Sequence, residues 1–102
     1  PQWLTAELTR SWSRHGDGLA AGLRAAAAHP APDLDALARC PVPVGIGACT
    51  DDPVHPVALA RAWAEALPRA ALREMPLAAF GADPASAGHA TLTAWREAAG
   101  HG

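Results

Sequence analysis

Residues 41–76 read PVPVGIGACTDDPVHPVALARAWAEALPRAALREMP, and their order decides the fold. An uncharged apolar run over residues 42–48 leads into an acidic turn, Asp51-Asp52-Pro53. Pro56 then opens a helical pattern, at a position where a missing N–H does no harm. Ala60, Trp63, Ala64 and Leu67 recur at i, i+3, i+4 and i+7, which makes one apolar stripe. Pro68 stops that helix, and residues 70–75 form a second short strand ending at Met75. The pattern is strand, acid-bearing turn, helix, strand. A crossover of this length predicts parallel strands joined by a right-handed connection. Open parallel sheets carry their chemistry outside the carboxyl ends of the strands, where Asp51 and Asp52 fall.

Working outward, Pro41 and Pro43 sit at the start of the first strand, where absent donors matter least. The run is apolar on both faces, as expected for a strand covered by helices on both sides. Gly45 and Gly47 permit another backbone or side chain to approach closely. Upstream, Trp3, Leu4, Leu8 and Trp12 are spaced along one helical face, with Thr5 as a candidate N-cap. His15-Gly16 ends that helix, and Asp17 is placed to cap a second one running through Leu19, Leu23 and four consecutive alanines. His29-Pro30-Ala31-Pro32 stops it. Residues 33–38 predict one short turn with Leu34 and Leu37 facing inward. Downstream, residues 76–84 predict a loop. A last helix then starts at Pro84 or Ser86 and buries Leu92, Trp95 and Ala99.

The chain has 102 residues, enough for one small domain. Half of them are hydrophobic, but much of that is alanine, which buries little area per residue. The expected core therefore rests on Trp12, Trp63, Trp95, Phe80 and scattered Leu and Val. Net charge is −2, and all eight basic residues are Arg. No basic stripe exists, so nucleic acid is excluded as a partner. Apolar runs fall short of the roughly 18 residues that span a bilayer, so no membrane partner is expected. The N-terminus carries no secretory signal pattern, and the expected compartment is the cytoplasm. The chain opens at Pro1 without Met, so a piece of a longer polypeptide is expected. Cys40 and Cys49 flank the first strand; extended chain would hold them about 30 Å apart, too far to pair. Two half-buried thiols suit a reducing compartment.

These segments together resemble the C-terminal third of an α/β-hydrolase fold protein, over about residues 17–100. Residues 42–48 look like that fold's seventh strand and Thr50-Asp51-Asp52-Pro53-Val54-His55-Pro56 like its acid turn. Residues 58–67 look like the next helix, 70–75 like the eighth strand and 84–99 like the terminal helix. The implied fold class is α/β, a partial doubly wound parallel sheet of two strands with flanking helices. The implied organisation is a single partial domain over 1–102, with a helical cap-like segment at 1–38 and a β-α-β-α unit at 39–102. Two parallel strands leave edges unpaired, so the remainder of the chain or another subunit is expected to complete the sheet.

The resemblance implies that Asp52 is the acid of a nucleophile–acid–histidine triad, with Asp51 as the neighbouring alternative. A carboxylate just before a helix start is favoured as an anion and can orient a histidine. The family's histidine follows the eighth strand in a Pro-x-x-Gly-His pattern. Here that stretch is Pro76-Leu77-Ala78-Ala79-Phe80, and phenylalanine cannot move a proton. His89, nine residues on, is the candidate base; His55 lies inside the acid turn. The family's Gly-x-Ser-x-Gly elbow is absent, and Ser11, Ser13 and Ser86 are the only serines. The chain alone cannot assemble a complete triad.

Other chemistries fit less well. Asp51, Asp52, His55 and His89 lack the spacing of a zinc motif, so no metal is expected. Gly45-x-Gly47 lacks the third glycine of a dinucleotide loop, and no cofactor is expected. The first helices would either cap a hydrophobic pocket or pack their Trp3, Leu8 and Trp12 on the sheet. Two functions follow as expectations. One is a segment supplying the acid turn and pocket wall for hydrolysis of an ester, thioester or similar acyl substrate. The other is a catalytically inactive binding or scaffold module in which Phe80 has replaced the histidine.

Overall fold

A computed structural model describes residues 1–100; the last two residues of the expected domain lie outside it. In chain order the elements are α1 (Gln2–Ser13), α2 (Gly18–Ala28), α3 (Leu34–Ala38), β1 (Val44–Cys49), α4 (Val57–Ala66), β2 (Ala70–Met75), α5 (Leu77–Ala82) and α6 (Ala85–Ala98). The chain divides into two units, Pro1–Pro32 and the part from Asp33 onward.

The first unit holds α1 and α2. Its side-chain hydrogen bonds are local: Thr9 Oγ1 donates to Thr5 O at 2.8 Å and Ser13 Oγ to Thr9 O at 2.6 Å. Arg10 pairs with Glu7 one turn back. The sequence placed Thr5 as the cap of α1. Instead Pro1 holds the N-cap position, and Thr5 Oγ1 donates back to Pro1 O at 3.3 Å. Asp17 precedes α2 but has helical φ −66° and ψ −19° and makes no side-chain cap bond. The break between the helices sits at Gly16, whose φ of +53° favours glycine. No residue of α1 or α2 is buried.

The second unit is a parallel pair with flanking helices. Val44 lies opposite Ala70 and Cys49 opposite Met75, in continuous register. The parallel arrangement expected from the strand–helix–strand pattern is present. The ladder starts two residues later than expected. Pro43 has no N–H to give, so the first bond runs from Val44 N to Arg69 O, 2.8 Å, and Val42 is left 56% exposed.

Helices α4 and α6 both pack on both strands, but they form no packing seam with one another. Strand axes about 4.8 Å apart leave no room for two helices side by side on one face. The two helices therefore cover opposite faces. Gly45 and Gly47 face α6. A Cβ at Gly45 would overlap Trp95 N and stand 2.5 Å from Thr91 O and 2.7 Å from Trp95 Cα. At Gly47 it would stand 2.5 Å from Thr91 Oγ1. The close approach read from these glycines is made by the α6 backbone at Gly45 and by the Thr91 side chain at Gly47.

That approach overturns the expected core. Among the described residues the buried hydrophobic ones are Leu67, Leu77 and Ala94. Trp95 is 40% exposed and Leu92 is exposed, although both were expected on the buried side of α6. Ala94, fully buried, takes that place. The cause is steric: with the Trp95 backbone on Gly45, only a small side chain fits between helix and sheet, and the indole is displaced sideways. Trp12 is exposed as well, while Trp63 and Phe80 are half-buried. Leu34, expected to face inward, is exposed; Leu37 is half-buried. Asp33 caps α3 by accepting from Ala36 N at 2.7 Å, and α3 packs on α4.

The loop expected at 76–84 contains a helix instead. Pro76 is the N-cap of α5, and Leu77, its first residue, is buried. The cause lies 26 residues upstream: Asp51 Oδ1 accepts from Leu77 N at 2.8 Å and fixes the turn into the helix.

Candidate active site

β1 delivers the acidic turn to the carboxyl rim of the sheet. The ladder continues one residue past the strand, with Thr50 N donating to Met75 O at 2.9 Å. Asp51 and Asp52 follow at once, and they have different jobs. Asp51 reaches across to the start of α5. Asp52 folds the turn on itself: its Oδ1 accepts from Val54 N at 2.8 Å and from His55 N at 3.0 Å. These two backbone donors, His55 N foremost, hold the Asp52 carboxyl below the usual carboxylate range, with a smaller contribution from the His55 ring.

The second oxygen of Asp52 is less committed. Oδ2 meets only His55 Nδ1, at 3.3 Å, and the His55 side chain is 84% exposed. Asp52 itself is half-buried. One oxygen is therefore anchored to the backbone, and the other faces a solvent-accessible imidazole three residues on. This Asp–His pair can order a proton on Nδ1 and stabilise an imidazolium.

The remaining candidates are not gathered here. His89 lies on the exposed surface of α6, and no hydrogen bond or ion pair joins it to Asp52 among the described residues. Phe80 is half-buried on α5. Ser86 Oγ donates to Ala79 O at 3.1 Å, tying α6 to α5, and Ser13 is spent on its own helix. Cys49, at the end of β1, is a poor nucleophile. Burial pushes its thiol pKa up, and the neighbouring carboxylates of Asp52 and Asp51 push it further. Among the described residues no cluster of three or more His, Cys, Asp or Glu could hold a metal ion. No described helix is long and apolar enough to cross a membrane.

A shallow groove of about 540 Å³ is lined by Gly45, Ala87, Gly88, Thr91, Leu92 and Trp95. It lies near the start of β1, whereas the acidic turn follows its end. Gly45 and Cys49 are four strand positions apart, about 13 Å of chain. The groove and the turn are distinct places.

Sequence reasoning missed three positioning residues. Asp51 was weighed only as an alternative acid, and nothing local announces its bond to Leu77. Thr91 and Ala94 were passed over for larger neighbours. Their signal was present in the small residues Ala87, Ala90, Thr91, Ala94 and Ala98, which recur at helical spacing opposite a Gly-x-Gly strand. No protein-family model, curated protein or solved structure matches the chain.

Proposed function

We propose that the second unit is the acid-turn portion of an α/β-hydrolase-like protein acting on an ester, thioester or similar acyl substrate. One observation carries this reading. Asp52 sits at the carboxyl rim of a parallel strand, with one oxygen pinned by Val54 N and His55 N and the other turned to an exposed imidazole. A triad acid needs that division: a fixed orientation on one side and an acceptor for an imidazole N–H on the other.

In the reaction a serine hydroxyl attacks the acyl carbon and gives its proton to a histidine. The imidazolium that forms is held by Asp52, and its proton then passes to the leaving group. In this reading a histidine displaces His55 from Oδ2. His89 is the candidate within this chain. The serine and the oxyanion donors come from the remainder of the chain or from another subunit, which also completes the sheet. The substrate is small and hydrophobic or acyl in character.

A second reading is favoured by Phe80, a half-buried apolar residue where the resemblance calls for the histidine. Here the fold is kept as a binding or scaffold module for a hydrophobic ligand. Turnover of a p-nitrophenyl acyl ester by the full-length protein carrying this segment separates the two. Under the first reading, Asp52→Ala lowers kcat by about 10³- to 10⁴-fold. Absence of turnover in the unaltered protein, with retained binding of a fatty-acyl probe, selects the second.

A further inference from the structure

His15-Gly16-Asp17-Gly18 joins α1 to α2, and all four residues are exposed. An aspartyl carboxyl carbon lies one five-membered ring away from the backbone nitrogen of the next residue. That ring closes when three conditions coincide. The carboxyl must not be held elsewhere, the next residue must offer an unshielded N–H, and the backbone between them must be able to turn.

The other aspartates each fail a condition. Asp52 and Asp83 precede proline, which has no N–H to attack with. Asp51 is held by Leu77 N. Asp33 Oδ1 accepts from Ala36 N at 2.7 Å, and this one bond occupies both the Asp33 carboxyl and the nitrogen that Asp35 would need. Asp17 differs. It precedes α2 without capping it, and no hydrogen bond or ion pair holds its carboxylate among the described residues. Its successor is glycine, where a Cβ would meet nothing within 4 Å, so the approach is open. Gly18 N donates to His15 O at 3.0 Å and Asp17 stands at a helical ψ of −19°, so this turn has to open before the ring closes. Opening is cheap here. Glycines flank Asp17 on both sides, Gly16 already stands at φ +53°, and no residue of α1 or α2 is buried.

We propose that Asp17-Gly18 is a site of spontaneous covalent modification, at which Asp17 converts to isoaspartate. Gly18 N attacks Asp17 Cγ of the protonated carboxyl. The N–Cγ bond forms, the C–OH bond breaks, and the hydroxyl leaves with the amide hydrogen as water. The product is a cyclic imide. Water then adds back to one of its two carbonyls. Addition at Cγ restores aspartate. Addition at the main-chain carbonyl breaks its bond to Gly18 N, and the backbone thereafter runs through Cβ and Cγ. The step consumes nothing but the water it released. It leaves an extra carbon in the main chain at the head of α2 and a carboxylate directly on Cα, so α2 loses its first turn. This proposal is independent of any hydrolase activity.

The test uses the 102-residue chain itself, kept in warm, mildly acidic buffer and digested at intervals. Cleavage after Arg14 and Arg24 isolates residues 15–24, in which Asp17 is the only acidic residue. Mass spectrometry should first show a form of this peptide lighter by one water. A form of unchanged mass that elutes separately should follow, with fragments that place isoaspartate at residue 17. It should accumulate before any such form of the peptides carrying Asp33, Asp35, Asp51, Asp52 or Asp83. Gly18→Val shields the nitrogen with a branched side chain, and both new forms should be lost. Unfolding would hasten ring closure, so that loss cannot come from a folding defect. Asp17→Glu, whose carboxyl is one carbon too far for the five-membered ring, should lose them as well. Isoaspartate that appears first at another aspartate, or at none, overturns the proposal. So does a new form of the 15–24 peptide that persists in either variant.

Discussion

The two units of this chain are held together by different kinds of bond. In Pro1–Pro32 the side-chain hydrogen bonds connect residues three or four apart, and no helical residue is buried. From Asp33 onward the fold depends on contacts between distant residues: β1 on β2, α6 on Gly45, and Asp51 on Leu77. A local bond stabilises a turn without deciding where the turn goes. A distant one fixes position, and the candidate chemistry sits where distant bonds converge. The same contrast recurs within one dipeptide, for Asp51 reaches across 26 residues while Asp52 serves its immediate neighbours.

The largest expected effect comes from filling a crowded glycine. Gly45→Val drives a side chain into the backbone of Thr91 and Trp95, which cannot retreat without lifting α6. A loss of about 3 kcal/mol or more is expected in denaturant unfolding, enough to abolish the native second unit. The matched change in the first unit is Gly22→Ala, where a Cβ meets nothing within 4 Å. It should stabilise α2 by about 0.5–1 kcal/mol, because alanine is the better helix former. Equal effects at the two glycines would erase the distinction between the units.

Asp51→Ala is expected to have an intermediate effect. It leaves the part-buried Leu77 N–H without its acceptor, at a cost of about 1–2 kcal/mol. Amide exchange in α5 should accelerate more than exchange elsewhere. Unchanged exchange in α5 would mean that Pro76 alone sets its start.

The smallest expected effect is on the pH dependence of stability. The Asp52 pKa is lowered in the folded chain, so its contribution is present above the unfolded value and is lost as pH falls through the folded one. The loss therefore begins near the ordinary aspartate pKa of about 3.9 and is complete below the depressed value. Asp52→Asn should flatten that part of the stability curve by lowering stability at neutral pH while leaving the acid end almost untouched. A variant whose acid limb keeps the original slope would show that other carboxylates set it.

Much of the second unit was legible in the sequence because its signals are local. Prolines bracket the strands, an i, i+3, i+4 stripe marks α4, and Gly45 and Gly47 announce a close neighbour. The buried face of α6 was not legible by seeking its largest residues. Its identity follows from which helix lands on the glycines, and that is a tertiary fact. α5 was missed because its start is fixed from Asp51, outside any local window. At the site, Asp52 could be placed at the strand end from spacing alone. The split between its two oxygens could not, since it depends on how the turn closes over Val54 and His55.

The seating of α6 on β1 also has a bearing on synthesis. Gly45 and Ala94 are 49 positions apart, so α6 leaves the ribosome well after β1. For that whole interval the uncharged strand emerges without the helix that covers its glycine face. The nascent chain is then most open to chaperone capture, or to pairing with a neighbour on the same polysome.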